Sequence, residues 1–209
     1  FMKICTIVGA RPQFVKAAVV SRVIEEHIGV SEILIHTGQH FDANMSDIFF
    51  NELKISKPKY NLGIHGGGHG EMTGQMLATI EKILVQELPD LIVVYGDTNS
   101  TIAGALAAKK LNIKVIHIEA GLRSYNMQMP EEINRILADK ISDILFCPTE
   151  TAVNNLIKEG IITKSFDFKS YVCKASFKPS VPFDTPIAYL LLKYSANCCS
   201  NSDTDFPFI

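Results

Sequence analysis

Residues 161–209 of this 209-residue chain contain no glycine, no glutamate and no arginine, although the residues before them use all three freely. Glycine serves turns and helix ends, so a globular continuation in the same style does not lose it abruptly. The segment also carries Pro179, Pro182 and Pro186, which interrupt regular elements, and an apolar run from Tyr189 to Tyr194 that is too short for a domain. We read residues 161–209 as an atypical tail, frameshifted or truncated and not a domain, with a genuine C-terminal extension as the alternative. Translating the other two frames of the source DNA beyond Gly160 separates the two. Phe1 precedes Met2, which looks like the natural start, and is given no role.

Other absences exclude whole classes of function. No segment holds the ~18 uninterrupted apolar residues of a membrane span, and the apolar run at the start is a short strand behind one lysine rather than a signal peptide. A cytoplasmic protein with no membrane partner is expected. The formal net charge is −2 with 20% charged residues, so there is no basic excess for nucleic acid. The five cysteines are odd in number and show no CxxC spacing, against both a disulfide framework and a zinc site. Cys5 and Cys147 lie in strand-like runs and read as buried, inert thiols. No GxGxxG follows the first apolar run and no GxxxxGK[ST] occurs, which removes the dinucleotide fingerprint and the usual nucleotide-triphosphatase loop.

What is present is an alternation of apolar runs and helical patterns. Lys3 to Val8 reads as a strand, turning through Gly9-Ala10-Arg11-Pro12 into a helix with Pro12 near its start and Val15, Ala18, Val19, Arg22, Val23 and Glu26 at helical spacing. Glu32 to His36 is a second strand, after which Asp42 is positioned to cap a helix presenting Met45, Ile48, Phe49 and Leu53. Lys54 to Tyr60 is a connection, and the glycine-rich Gly63 to Gly70 a flexible loop before a helix from about Met72 to Leu88. Leu91 to Tyr95 and Val115 to Ile118 are apolar on every residue but one, and a small-residue helix from about Asn99 to Leu111 joins them. That is the mark of neighbouring parallel strands buried on both faces. A helix after Pro130 is expected to bury Ile133, Ile136, Leu137 and Ile141; strand 143–147 and helix 149–159 follow. Five alternations predict an α/β fold with an open, doubly wound parallel sheet over residues 1–160.

Ligands in such sheets bind beyond the carboxyl ends of the strands. Asp97 and Glu119 follow two successive strands, and Glu131 comes close behind, an acid/base set of the kind proton transfer at a sugar carbon needs. The bland alternatives are that Asp97 caps the next helix and that Glu119 pairs with Arg123. Arg11 and Lys16 sit where a helix N-terminus could help hold an anion; the alternative is two solvated cations. His65 and His69 are four residues apart, but three glycines between them argue against a helix, and no acid lies in the loop. No metal is expected there, only a flexible loop able to touch a ligand. His36 and His117 read as core or near-site histidines.

Six segments, in one order, resemble the non-hydrolysing UDP-N-acetylglucosamine 2-epimerases: Gly9-Ala10-Arg11-Pro12-Gln13 with Lys16, Thr37-Gly38-Gln39-His40, Tyr95-Gly96-Asp97-Thr98, His117 to Arg123, Pro130 to Arg135 and Pro148-Thr149-Glu150. The resemblance covers Met2 to Gly160. It implies a Rossmann-like N-terminal half of a two-domain, glycosyltransferase-B-like fold, acting on a UDP-sugar without cofactor and as a homodimer when intact. It implies catalytic roles for Asp97, Glu119 and Glu131, and substrate contacts for Arg11, Lys16, Arg135, Gln39 and His40. The family inverts C2 by eliminating UDP to a glycal and adding it back. Bacterial members with an allosteric UDP-sugar carry Gln-His-Arg where this chain reads Gln39-His40-Phe41, a pattern closer to the branch acting on UDP-2,3-diacetamido-2,3-dideoxyglucuronic acid. The missing C-terminal half supplies much of the uridine pocket and a histidine, so this chain alone is expected to be inactive. Two alternatives remain: a glycosyltransferase of the same architecture, and a non-catalytic fragment that only binds nucleotide sugar.

Overall fold

The computed structural model describes residues 1–39, 50, 52–53 and 55–161, together with the backbone of Lys174–Phe177. Six parallel strands stand in the order β3-β2-β1-β4-β5-β6, with β7 antiparallel on the edge beside β6. They are β1 (Met2–Val8), β2 (Val30–His36), β3 (Tyr60–Asn61), β4 (Leu91–Tyr95), β5 (Lys114–Ile118), β6 (Ile144–Cys147) and β7 (Lys174–Phe177). The helices between them are α1 (Arg11–Glu25), α2 (His69–Glu87), α3 (Asn99–Lys110), α4 (Pro130–Ile141) and α5 (Glu150–Lys158). The doubly wound reading holds. Two strands are additions to it: β3 lies in what reads as a connection, and β7 lies in the tail, where no element was placed. The helix expected after Asp42 falls mostly outside the described residues.

Alternation along each buried strand builds cores on both faces of the sheet, with a third apolar cluster where Leu145 and Cys147 of β6 meet Ala152, Val153 and Leu156 of α5. Ile4 and Val8 of β1 with Val93 and Tyr95 of β4 pack under Phe14, Ala17 and Ile24 of α1. Cys5 and Ile7 with Ile92 and Val94 pack on the opposite face against Met76, Ile80 and Leu84 of α2 and the alanines of α3. The small residues of α3 are there for closeness: a Cβ on Gly104 would come within 2.7 Å of the Ile7 side chain. Cys5 is fully buried, and burial, with the charges of Glu32 and Glu87, pushes its thiol up to about 12, keeping it protonated and unreactive at neutral pH.

Two helix faces differ from the sequence reading. On α1 the buried set is Gln13, Phe14, Ala17, Ala18, Val20, Ser21 and Ile24, while Val15 is exposed. On α4 the expected apolar face is half right: Ile136 and Ile141 are partly buried, with Ile141 packed on the core, but Ile133 and Leu137 are 42% and 45% exposed, and Glu132, Asn134, Ala138 and Asp139 are buried. The physical reason is partnership. Each buried polar group of α4 has hydrogen-bond partners on neighbouring elements, so its burial is compensated, and the two exposed aliphatics share the other face one turn apart. The helix expected from Met72 begins earlier, at His69, with Gly68 as its N-cap.

At the far edge of the sheet Glu87 ties α2 to β1 and β3. It accepts from Lys59 Nζ at 2.7 Å and Tyr60 OH at 2.5 Å, with Lys3 Nζ at 3.6 Å. No helix among the described residues is long and apolar enough to cross a membrane.

Candidate active-site cleft

The strand order reverses between β1 and β4, and a cleft of about 440 Å³ opens beyond the carboxyl ends of the strands there. Its walls come from the turn and first helical residues after β1, from Gln39 after β2, from Gly96 to Asn99 after β4, from Glu119 after β5 and from α4. Arg11, Lys16, Gln39, Asp97, Glu119 and Glu131 all line it, so six of the eight residues read from the sequence are brought together. His40 lies outside the described residues. Arg135 stands behind the wall: its Nε and one terminal nitrogen donate to Asp97 Oδ2 at 2.8 and 2.5 Å, and its other terminal nitrogen donates to Glu132 at 2.7 Å. A guanidinium so engaged orients Asp97.

The bland alternatives for the acids do not hold. Thr98, not Asp97, caps α3, its side chain accepting from Thr101 N. Glu119 pairs with Lys16, Nζ to Oε2 at 2.5 Å, rather than with Arg123. Glu131 lines the cleft with no hydrogen-bond partner among the described residues. The site thus sets one acid on an arginine, one on a lysine and leaves a third open.

Glu119 is also held in an unusual backbone state, with φ of +75°, one of four non-glycine residues with positive φ in the described chain. Its N–H and that of Ala120 both donate to Phe146 O at 3.0 Å, and Gly121 N donates to Asp139 Oδ2 at 3.0 Å. Gly121 must be glycine, since its φ is +79° and a Cβ would meet the Ala152 carbonyl oxygen at 2.4 Å. Asp139, fully buried, also accepts from Arg123 at 2.7 Å and faces His117 Nδ1 at 2.8 Å. His117 Nε2 donates to the Gly96 carbonyl at 2.7 Å. Asp139 and His117 therefore fasten the turns carrying Glu119 and Asp97 to one buried point. Arg123 completes the group by donating to Glu159 at 2.7 and 2.8 Å. Burial opposes its charge, but the bonds to Glu159 and Asp139 more than offset this and raise its pKa.

Several of these residues escape sequence reasoning. Gln13, buried on α1, accepts from Gly9 N and Ala10 N at 2.7 and 3.1 Å and donates to Tyr95 O at 2.6 Å, clamping the β1 turn to the end of β4. Its signal is a polar residue in the inward row of a helix otherwise lined by Phe14, Ala17 and Ala18. Glu132 and Asp139 flank Arg135 in a polar stripe at helical spacing, which is the signal of a working face. His36 is a core histidine, edge-on to Phe14 at 5.0 Å between ring centroids, and burial lowers its pKa.

Glu132 is nine-tenths buried and more. Burial alone would raise its pKa; Ser124 N, Arg135, Tyr125 N and the Ser124 hydroxyl outweigh this and hold it at about 2. Glu87, with its bonds from Lys59 and Tyr60, is likewise held at about 2 against an ordinary 4.5. Both are depressed, so the stability they contribute is fully present above 4.5 and is lost as pH falls toward about 2, where the folded carboxylates take up protons. Urea midpoints are expected to fall gently as pH drops below about 6.5, where the unfolded chain takes up the proton that buried His36 resists, and more steeply below about 4.5 as Glu87 and Glu132 become protonated. Glu132→Gln is expected to flatten that fall.

Sequence comparison bears directly on this cleft. A sequence model described as UDP-N-acetylglucosamine 2-epimerase matches residues 22–166, more than half of the chain. The chain belongs to that epimerase family. It is similar to the UDP-2,3-diacetamido-2,3-dideoxy-D-glucuronate 2-epimerase of Pseudomonas aeruginosa, 65% identical over 164 residues, which are 78% of this chain and 46% of the relative. Among solved epimerase structures, that of the Methanocaldococcus jannaschii UDP-GlcNAc 2-epimerase in complex with UDP-GlcNAc and UDP superposes with a TM-score of 0.73 at 54% identity, covering 76% of this chain and 44% of that one. The Neisseria meningitidis enzyme bound to UDP-GlcNAc gives 0.71 at 37% identity, covering 76% and 43%. The chain therefore spans under half the length of the family members it matches. The Rossmann-like sheet is the N-terminal half of the epimerase fold.

Proposed function

We propose that residues 1–160 form the N-terminal wall of a UDP-sugar 2-epimerase cleft, completed by a second domain, and that residues 161–209 are not a domain. The single observation that carries this reading is the convergence of Asp97, Glu119 and Glu131 with Arg11 and Lys16 on one cleft at the β1/β4 switch point. A carboxylate removes the proton at C2; the C–H pair becomes the C1–C2 double bond, and the C1–O bond breaks with its electrons leaving on UDP. The glycal is then protonated at C2 from the opposite face while the UDP oxygen bonds C1 again. Atoms and charge balance with no added cofactor. Two acids on opposite sides of a sugar ring suit the two proton steps, and Arg11 and Lys16 suit the departing diphosphate. Arg135 acts through Asp97, while Gln39 and His40 complete the substrate contacts.

Homology at 65% identity favours a UDP-sugar bearing an N-acetyl group. The test is deuterium incorporation at C2 of UDP-N-acetylglucosamine and of its 2,3-diacetamido uronate relative in heavy water. The chain alone is expected to give none. Joined at Gly160 to the C-terminal half of the Pseudomonas relative, it is expected to exchange C2 of one of them; transfer to an acceptor sugar without exchange would favour a glycosyltransferase instead. For the intact enzyme we assign the cytoplasm and a homodimer, which fractionation and light scattering check.

A further inference from the structure

One side of the cleft holds amides whose orientation is set from a main-chain carbonyl outward. The Asp97 carbonyl can only accept, so the Asn134 group 2.9 Å from it is the NH2. The second hydrogen of that NH2 lies toward Asn99 Oδ1, 3.2 Å away. The Asn99 NH2 therefore points outward, 3.2 Å from His69 Nδ1 and 3.8 Å from Met72 Sδ. Facing a donor, Nδ1 accepts, and the hydrogen of the neutral ring sits on Nε2. His69 lines the cleft, and its Nε2 has no partner among the described residues. Gln39 follows the same logic: its Oε1 accepts from Ser100 N at 2.9 Å and Ser100 Oγ at 2.7 Å, which leaves its NH2 as the group available to a ligand.

We propose that His69 Nε2–H, with the Gln39 NH2, forms a donor-only subsite for an oxygen acceptor on the sugar of the nucleotide sugar, an acetamido carbonyl or a carboxylate. The proposal rests on the nucleotide-sugar reading above and adds to it a contact from the first residue of α2. The charged wall, with Arg11, Lys16 and the three acids, serves the diphosphate and the reacting carbons. The neutral wall then decides which substituent is accepted, because a sugar that places no acceptor there leaves two desolvated donors unpaired.

Long-range proton–nitrogen spectra of the 15N-labelled chain read the ring directly. A single Nε2–H form of His69 is expected, turning into a mixture in Asn99→Ala; an Nδ1–H form in the unaltered chain overturns the relay. Titration with UDP-N-acetylglucosamine and UDP-glucuronate is expected to move the His69 Nε2 signal, and UDP-glucose, which carries neither acceptor, to move it less. The larger response of the first two tells acetamide from carboxylate. Equal responses to all three overturn the proposal. Signals of Arg11 to Lys16 that move while His69 and Gln39 stay still overturn the subsite alone, whereas a cleft in which nothing moves overturns the nucleotide-sugar reading and the subsite with it. His69→Phe keeps the ring and removes the donor: affinity for the acceptor-bearing sugar is expected to fall about tenfold while affinity for UDP is kept.

Discussion

Glu119→Gln in the two-domain chimera is expected to lower C2 exchange by about 100- to 10,000-fold, the span usually lost with a general acid or base. The substitution preserves size and leaves an amide oxygen for Lys16, so the turn keeps its shape while the group loses its ability to take a proton. Asp97→Asn is expected to fall in the same range. The two differ in what else they disturb: Asp97 receives two bonds from Arg135, so its asparagine also weakens a charge-assisted pair, whereas Glu119 is tied by one lysine bond. Exchange is measured by loss of the C2 proton signal, and circular dichroism checks that each variant folds. Retention of full exchange in both variants would discredit the acid/base assignment.

Asp139→Ala is expected to cost about 3–5 kcal/mol in urea denaturation, the range for removing one partner from a buried charged pair. Natural domains have only about 5–15 kcal/mol in total, so this is a large fraction of the whole. The cost arises from what remains: Arg123 keeps Glu159 but loses its buried carboxylate partner, Gly121 N–H is left without an acceptor, His117 Nδ1 loses its partner, and all lie out of reach of water. Replacing Arg123 by methionine and Asp139 by leucine together is expected to cost less than the sum of the single changes, because the pair is removed without stranding a charge. A double variant whose loss equals the sum would show that the two side chains do not act as a unit.

Much of the fold is legible in the chain because burial of both sheet faces writes itself as unbroken apolar runs such as Leu91 to Tyr95, and because strand ends in such a sheet point to one edge. Asp97 and Glu119 follow from that placement, while Glu131 sits in the first turn of α4. The faces of α1 and α4 are not legible in the same way. On α4 two rows compete, the aliphatic row of Ile133 and Leu137 and the polar row of Glu132, Arg135 and Asp139, and hydrophobicity favours the first. The second is covered only because its partners come from turns 7 to 38 residues away, Asp97, Gly121, Arg123, Tyr125 and His117 among them. Gln13 is opaque for the same cause, since it reaches Tyr95 across a separation of 82 residues. The tautomer of His69 is further removed still, depending on two side chains, Asn134 and Asn99, and on the Asp97 main-chain carbonyl.

The left-handed backbone at Glu119 carries a last implication. A non-glycine residue held there costs about 1–3 kcal/mol, borne by the bonds that the turn's N–H groups donate to Phe146 O and Asp139. Glycine would occupy the position without that penalty but could offer no carboxylate. A library of variants sorted for thermal resistance alone is therefore expected to drift toward glycine at residue 119, and one sorted for turnover to reject it, so this single turn marks where selection for a durable chain and selection for a working one part company.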